Sequence, residues 1–169
     1  MQNTLIGGLA GDAITTASNN TAVGHSSLGA NTTGGANVAV GKDALINNTT
    51  ADNNTALGTN TLRQTATGSN NTAVGTSSQY ASTGSENTSM GVNALRFNTT
   101  ASNNVAVGMS ALFANTTGGA NTAVGKDALK SNTTASNNTA VGYQSQEATT
   151  TGASNTSVGL HALRLNTTG

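Results

Sequence analysis

Three features of this chain point to an all-β fold, a parallel β-solenoid (β-roll) of about ten 17-residue coils. The first is a fixed period. The glycine of an Asn-Thr-Ala-Val-Gly pentad falls at Gly7, Gly24, Gly41, Gly58, Gly75, Gly91, Gly108, Gly125, Gly142 and Gly159. Every interval is 17 residues except the one from Gly75 to Gly91, which is 16. The second is the pentad itself, a short β-branched segment whose apolar residues alternate with period two. The third is the residue stock: Thr, Asn and Gly dominate, and the apolar spacing is wrong for a helix. Residues 1–169 therefore read as a single repeat array, with no room for a separate globular domain.

Counting the pentad glycine as position five defines each coil. Position one is Asn in every copy, from Asn3 and Asn20 through Asn155. Position two is Thr, or Val at Val38 and Val105. Position three is Ala or Ser, with Leu5 in the first copy. Position four is always aliphatic: Ile6, Val23, Val40, Leu57, Val74, Met90, Val107, Val124, Val141 and Val158. Position nine is usually Leu: Leu28, Leu45, Leu62, Leu95, Leu112, Leu129 and Leu163. The copy then closes on Asn-Thr-Thr and a Gly or Ala, as in Asn31-Thr32-Thr33-Gly34.

The invariant aliphatic at position four, with Val tolerated at position two, predicts that this strand face points inward. Positions four and nine are then the core ladders. The Ala-Leu segment reads as a second short strand. Gly at position five and the Asn-Thr-Thr-Gly run read as the two turns, where left-handed backbone is cheap. Coils stack about 4.8 Å apart, so ten of them make a rod of roughly 48 Å. Identical residues then lie over one another, and the Asn and Thr positions become ladders bonding along the stack.

Each coil offers only one or two sizeable apolar side chains to a core, so burial between chains would add support. The small position-three face predicts where three rolls meet about an axis, as an intertwined or side-by-side homotrimer. Gln79 and Gln146 replace the position-nine Leu and predict local hydrogen-bonded layers in the core, which hold register. The turn after Gln79, Ala81-Ser82-Thr83-Gly84, is one residue short.

Composition narrows the function classes. The chain is 2% aromatic and 7% charged, against about 25% charged in ordinary domains. Six basic residues balance six acidic ones, which gives no footprint for nucleic acid or an anionic membrane. Without Cys there is neither a disulfide nor a thiolate metal site. No stretch is apolar enough to span a bilayer as a helix. The first residues, Met1 to Ile6, lack the basic region and apolar run of a signal peptide.

No residue set makes a positive case for an enzyme, a cofactor or a metal. His25 and His161 lie eight copies apart and read as surface histidines. Lys42-Asp43 and Lys126-Asp127 fall in a variable turn and read as solvated. Glu86, Asp52 and Asp12 are scattered, and no His–carboxylate constellation accompanies the many Ser and Thr. Gly35-Ala36-Asn37 lacks the strand and helix that flank a phosphate loop. The Asn-X-Thr triplets, such as Asn31-Thr32-Thr33 and Asn98-Thr99-Thr100, read as turn ladders rather than glycosylation sites. Arg63, Tyr80, Arg96, Phe113, Lys130, Glu147 and Arg164 share one variable position, which reads as an outward face able to meet a glycan or protein. Aromatics there look too sparse for a stacking platform.

Segments such as Asn121-Thr122-Ala123-Val124-Gly125-Lys126-Asp127-Ala128-Leu129 followed by Asn132-Thr133-Thr134 resemble the shaft repeats of bacteriophage tail fibres. In that group similar repeats often precede a C-terminal endosialidase-type self-cleaving chaperone domain. The pentad is also similar to the Ser-Val-Ala-Ile-Gly head repeats of trimeric autotransporter adhesins, which form trimeric left-handed β-rolls. The resemblance implies a viral or adhesion structural protein. It would be a rigid trimeric shaft in a virion or at a cell surface, spacing a receptor-binding tip carried on other parts. Two other functions fit the sequence. Gly169 and Met1 would continue the repeat in register, which fits an extracellular filament of chains stacked end to end. Thr ladders can order water, which fits an ice-binding solenoid. That reading needs a flat outward Thr face, and the pentad Thr reads as inward.

Overall fold

The computed structural model describes residues 2–169; Met1 lies outside the described residues. Ten three-residue strands run through the array, from β1 (Thr4–Ile6) and β2 (Thr21–Val23) to β10 (Thr156–Val158). The intervening strands β3 to β9 begin at Val38, Thr55, Thr72, Thr88, Val105, Thr122 and Thr139. All ten form one parallel sheet in chain order. Register is strict: Val38 pairs with Thr55, Ala39 with Ala56 and Val40 with Leu57, and so on at every junction. The protein is an all-β, parallel β-solenoid of 17-residue coils.

Each coil holds one strand, not two. The predicted Ala-Leu strand is a turn, because positions seven and nine both take left-handed backbone. Asp43 and Leu45 have φ of 56° and 51°, and Asp127 and Leu129 have 58° and 49°. Left-handed backbone strongly disfavours β-branched residues. That is why position nine uses Leu, Gln or, in the first coil, Gly11 and never Val or Ile, although position four uses Val freely. This side of the coil still bonds to its neighbours: the Leu45 N–H donates to Thr61 O at 3.0 Å and the Thr32 N–H to Thr49 O at 2.9 Å.

The strand faces the opposite way from the sequence expectation. Position three is the inward residue: Ala22, Ala39, Ala56, Ala73, Ala106, Ala123 and Ala140 have no exposed surface. The position-four side chains Ile6, Val23, Val40, Leu57, Val74, Met90, Val107, Val124, Val141 and Val158 are half-buried or exposed, and they line the outer face. The reason is width. Leu at position nine reaches across the coil, and only Ala or Ser fits opposite it. Leu28, Leu45, Leu62, Leu95, Leu112 and Leu129 are fully buried, and with the alanines of positions three and eight they make the apolar core. Leu163, in the tenth coil, is 48% exposed. The first coil exchanges the two sizes. Leu5 stands at position three and Gly11 at position nine, where an added Cβ would lie 2.8 Å from Leu5 Cδ2.

Asparagine holds the coils together. At all nine junctions the backbone N–H of one position-one Asn donates to the Oδ1 of the Asn one coil earlier, at 2.9–3.0 Å. In eight coils the same side chain donates Nδ2 to the carbonyl at position fifteen of its own coil, at 2.8–3.0 Å. One residue thus clasps its coil shut and bonds the next. A second ladder runs at position twelve, where Asn48 Nδ2 donates to Asn31 Oδ1 and Asn132 Nδ2 to Asn115 Oδ1. Asn31 and Asn98, the acceptors of two glycosylation-like triplets, are fully buried in it. The position-thirteen Thr hydroxyls continue the pattern, Thr116 Oγ1 donating to Thr133 O at 2.9 Å.

The two Gln copies form polar layers, as their sequence implies. Gln79 Nε2 donates to Asn71 Oδ1 (2.9 Å) and Ser82 Oγ (3.3 Å), and its Oε1 accepts from Ser89 Oγ (3.3 Å). Gln146 Nε2 donates to Ser157 Oγ at 2.9 Å. In both cases the next coil carries Ser, not Ala, at position three. Replacing Gln79 with Leu is expected to lower stability by about 1–3 kcal/mol, because it strands buried hydroxyl and amide groups. Adding Ser89→Ala should recover part of that loss, measured as denaturant midpoints of the single and double variants. The short turn before Gly84 deletes only the solvent-facing Thr of position fourteen, so the interior of that coil is intact.

Candidate functional site

The side chains with apparent chemistry are spread along the rod rather than gathered. His25 is exposed and lies 3.0 Å, Nδ1 to Oγ, from Ser26. His161 is exposed beside the Tyr143 ring, with centroids 5.5 Å apart. Among the described residues no group of three His, Cys, Asp or Glu side chains could hold a metal. Lys42 and Lys126 reach solvent as expected, but their neighbours do not: the Asp43 and Asp127 side chains are only 13% and 8% exposed. Asp127 pairs with Lys130 at 3.2 Å. Among the described residues no helix is long and apolar enough to cross a membrane.

What the fold does gather is an apolar strip. Positions two and four point outward from all ten strands, and every residue there is Thr or aliphatic. The strip carries no charge from end to end. Among the described residues, nine of the fourteen exposed large apolar side chains lie on it or on the adjoining position six. They are Val38, Ile6, Leu57, Met90 and Val158 on the strand, and Val92, Met109, Tyr143 and Leu160 just beyond the glycine turn. That concentration decides where contact with another molecule would occur. Beyond the glycine turn the apolar character continues at Val92, Met109, Tyr143 and Leu160, while Lys42 and Lys126 occupy the same position in their coils.

The turn is built for close stacking. Gly108 and Gly125 have φ of 129° and 135°, and a Cβ on Gly108 would lie 2.5 Å from Gly125 O. Glycine at position five therefore lets the corner of one coil sit directly on the next.

A second surface lies across the core from the strand, at positions ten and eleven. Arg63, Tyr80, Arg96, Phe113, Lys130, Glu147 and Arg164 are half-exposed there. At position ten alone the aromatics are sparse, but Phe97 sits one position later, at position eleven. The coil brings it back into line: Phe97 and Phe113 meet edge to face at 5.0 Å. Arg63 and Arg96 flank the Tyr80 ring at 5.8 and 5.7 Å. Near the first coils, where Gly29 occupies position ten between Asp12 and Ile46, the same edge is hollowed into a shallow depression of about 310 Å³ beside Leu9, Gly29 and Ile46.

Comparison of the chain with family models, curated proteins and solved structures finds no match.

Proposed function

We propose that the chain is a rigid shaft segment of an extracellular or virion fibre, assembled as a side-by-side homotrimer that spaces or presents a binding tip. The observation that carries this is the uncharged strip of Thr and aliphatic side chains at positions two and four, joined at position six by Val92, Met109, Tyr143 and Leu160 and interrupted there by Lys42 and Lys126. It runs the length of the array and stays open in a single chain. Soluble monomers rarely expose large apolar surfaces, and a second copy, with the same repeat spacing, can match this row of aliphatic side chains coil for coil. The contact surface is the aliphatic face, not the small position-three face, which is inside the coil. A strip with apolar side chains on both sides of the glycine turn can meet two neighbours, which fits rotation about a threefold axis. The resemblance to tail-fibre and adhesin rolls supports the same number. The thin apolar core, with one Leu per typical coil, supports a need for burial between chains.

Val107→Glu together with Val124→Glu tests this. Both side chains are half-buried in the single chain, so each coil should still close. The expected outcome is a folded protein whose sedimentation mass falls to that of one chain. An unchanged assembly mass would overturn the proposed contact face.

One observation favours a different role. The pentad threonines, Thr21, Thr55, Thr72, Thr88, Thr122, Thr139 and others, face outward and not inward. An ice-binding solenoid needs such a ladder. Here, however, Leu57 and Met90 stand among shorter valines on the neighbouring ladder and break the plane. No thermal hysteresis is expected at millimolar chain concentrations, and its appearance would replace the fibre reading.

A further inference from the structure

We infer that the edge formed by Arg63, Tyr80, Arg96, Phe97 and Phe113 binds an acidic polysaccharide bearing carboxylates. The chain holds four aromatic side chains, two Tyr and two Phe. Three of them, Tyr80, Phe97 and Phe113, fall on this edge in three consecutive coils. The Arg96 guanidinium carbon lies 5.7 Å from the Tyr80 ring centroid and 5.3 Å from that of Phe97. Arg63 covers Tyr80 at 5.8 Å, with Nη1 donating to the Tyr80 hydroxyl at 3.2 Å.

Among the described residues, Arg96 is the basic side chain with no carboxylate within 4.0 Å. The other five each have a carboxylate within 4.0 Å: Lys42 and Arg63 with Asp43, Lys126 and Lys130 with Asp127, Arg164 with Glu147. Arg96 makes one side-chain hydrogen bond, Nη1 to Asn93 Oδ1 at 3.1 Å, and its Nε is buried without a partner, so the two Nη groups are the end of the fork left for a ligand. Contact with two rings limits the rotation of the guanidinium and leaves its donor fork without an anion. Such a preorganised planar fork is matched to a carboxylate, which it grips with two parallel hydrogen bonds. Phe97, 42% exposed, offers an apolar ring beside it on which the C–H face of a sugar can lie.

The spacing selects a chain-like ligand. Arg63 and Arg96 are two coils apart, roughly 9.6 Å at the usual strand separation, comparable with the length of a disaccharide. A uronate polymer running along the rod can set one carboxylate on Arg96 and still reach Arg63, whose charge Asp43 already offsets at 4.0 Å. Nucleic acid fits less well, because its affinity comes from many phosphate contacts. This chain has zero net charge and one uncompensated cation on the edge. The edge lies across the core from the strand face, so the inference stands whether or not the chain is a trimer.

Calorimetric titration of the intact chain tests it, with oligogalacturonate as the probe and neutral maltooligosaccharide and oligothymidylate as comparisons. Saturable binding of oligogalacturonate alone is expected. Arg96→Ala should weaken it about tenfold or more, as loss of a charge-assisted bidentate contact does. Arg96→Lys should lose most of the same affinity, because it keeps the charge but not the fork. Phe97→Ala should weaken binding several-fold, and Lys42→Ala, off this edge, should leave it unchanged. If Arg96→Ala fails to fold by circular dichroism, Arg96→Lys carries the test. Failure of the parent chain to bind, equal weakening by Lys42→Ala, or tighter binding of oligothymidylate would each overturn the inference.

Discussion

Gly108→Ala is expected to destabilise the solenoid by about 3 kcal/mol or more, combining backbone strain with overpacking against a neighbouring chain segment. Two independent features set the size. Gly108 has a φ of 129°, a region that L side chains rarely adopt. Its added Cβ would also lie 2.5 Å from the carbonyl oxygen of Gly125 and 2.6 Å from its carbonyl carbon. Neither atom can swing away, because both belong to the backbone of the next coil. Gly8→Ala is the matched control. Gly8 has ordinary backbone and only His25 Cδ2, at 3.8 Å, near the added methyl. Its stability should stay within about 0.5 kcal/mol of the parent, as for most surface changes. Denaturant melts of both variants check the pair, and equal stabilities would contradict direct stacking of the position-five glycines.

Asn121→Leu should cost about 2–4 kcal/mol, since it strands buried backbone groups that have no access to water. Asn121 is fully buried. Its Oδ1 accepts from the Asn138 N–H at 2.9 Å, and its Nδ2 donates to Ala135 O at 2.9 Å. Leucine supplies neither bond. Ala135 O keeps one partner, Asn132 Nδ2 at 3.0 Å, so the Asn138 N–H is the group left orphaned. Thr134→Ala, at the exposed position fourteen, is the control and should be near neutral. Coil five already lacks that residue without losing its neighbours. Melting temperatures of the two variants separate the cases. Hydrogen exchange should show the Asn138 amide losing protection first in Asn121→Leu.

The period, the stacking of like residues and the Leu ladder were legible because they follow from spacing alone. Which face of the strand points inward was not. Alternation says that positions two and four share a face, but it does not say which face is buried. Aliphatic character at position four argued for the core, whereas the space left opposite Leu at position nine admits only Ala or Ser. The sequence does hold the tie-breaker, in paired exceptions. Leu5 accompanies Gly11, and Ser89 and Ser157 follow Gln79 and Gln146. Each pair marks position three as the partner of position nine.

The missing second strand has a similar explanation. Strand propensity and left-handed turns both accept Leu, so Leu112 or Leu129 alone does not decide. The absence of Val and Ile across every position nine was the usable sign. The clasp from each Asn to its own coil joins residues 14 apart around a turn, a geometry that no local pattern reveals. On the outer edge, Phe97 is displaced by one position, and only the curvature of the coil aligns it with Tyr80 and Phe113.

The central claim, that the open aliphatic strip is covered by further copies of this chain, is tested most directly by the molar mass of the intact protein in solution. Light scattering across a dilution series, with electron microscopy of the same sample, supplies it. The fibre account predicts a discrete particle of three times the 16.5 kDa chain mass, stable to dilution and rod-shaped. A soluble particle with the mass of one chain would contradict it, leaving a solenoid that is stable with its apolar strip exposed to water.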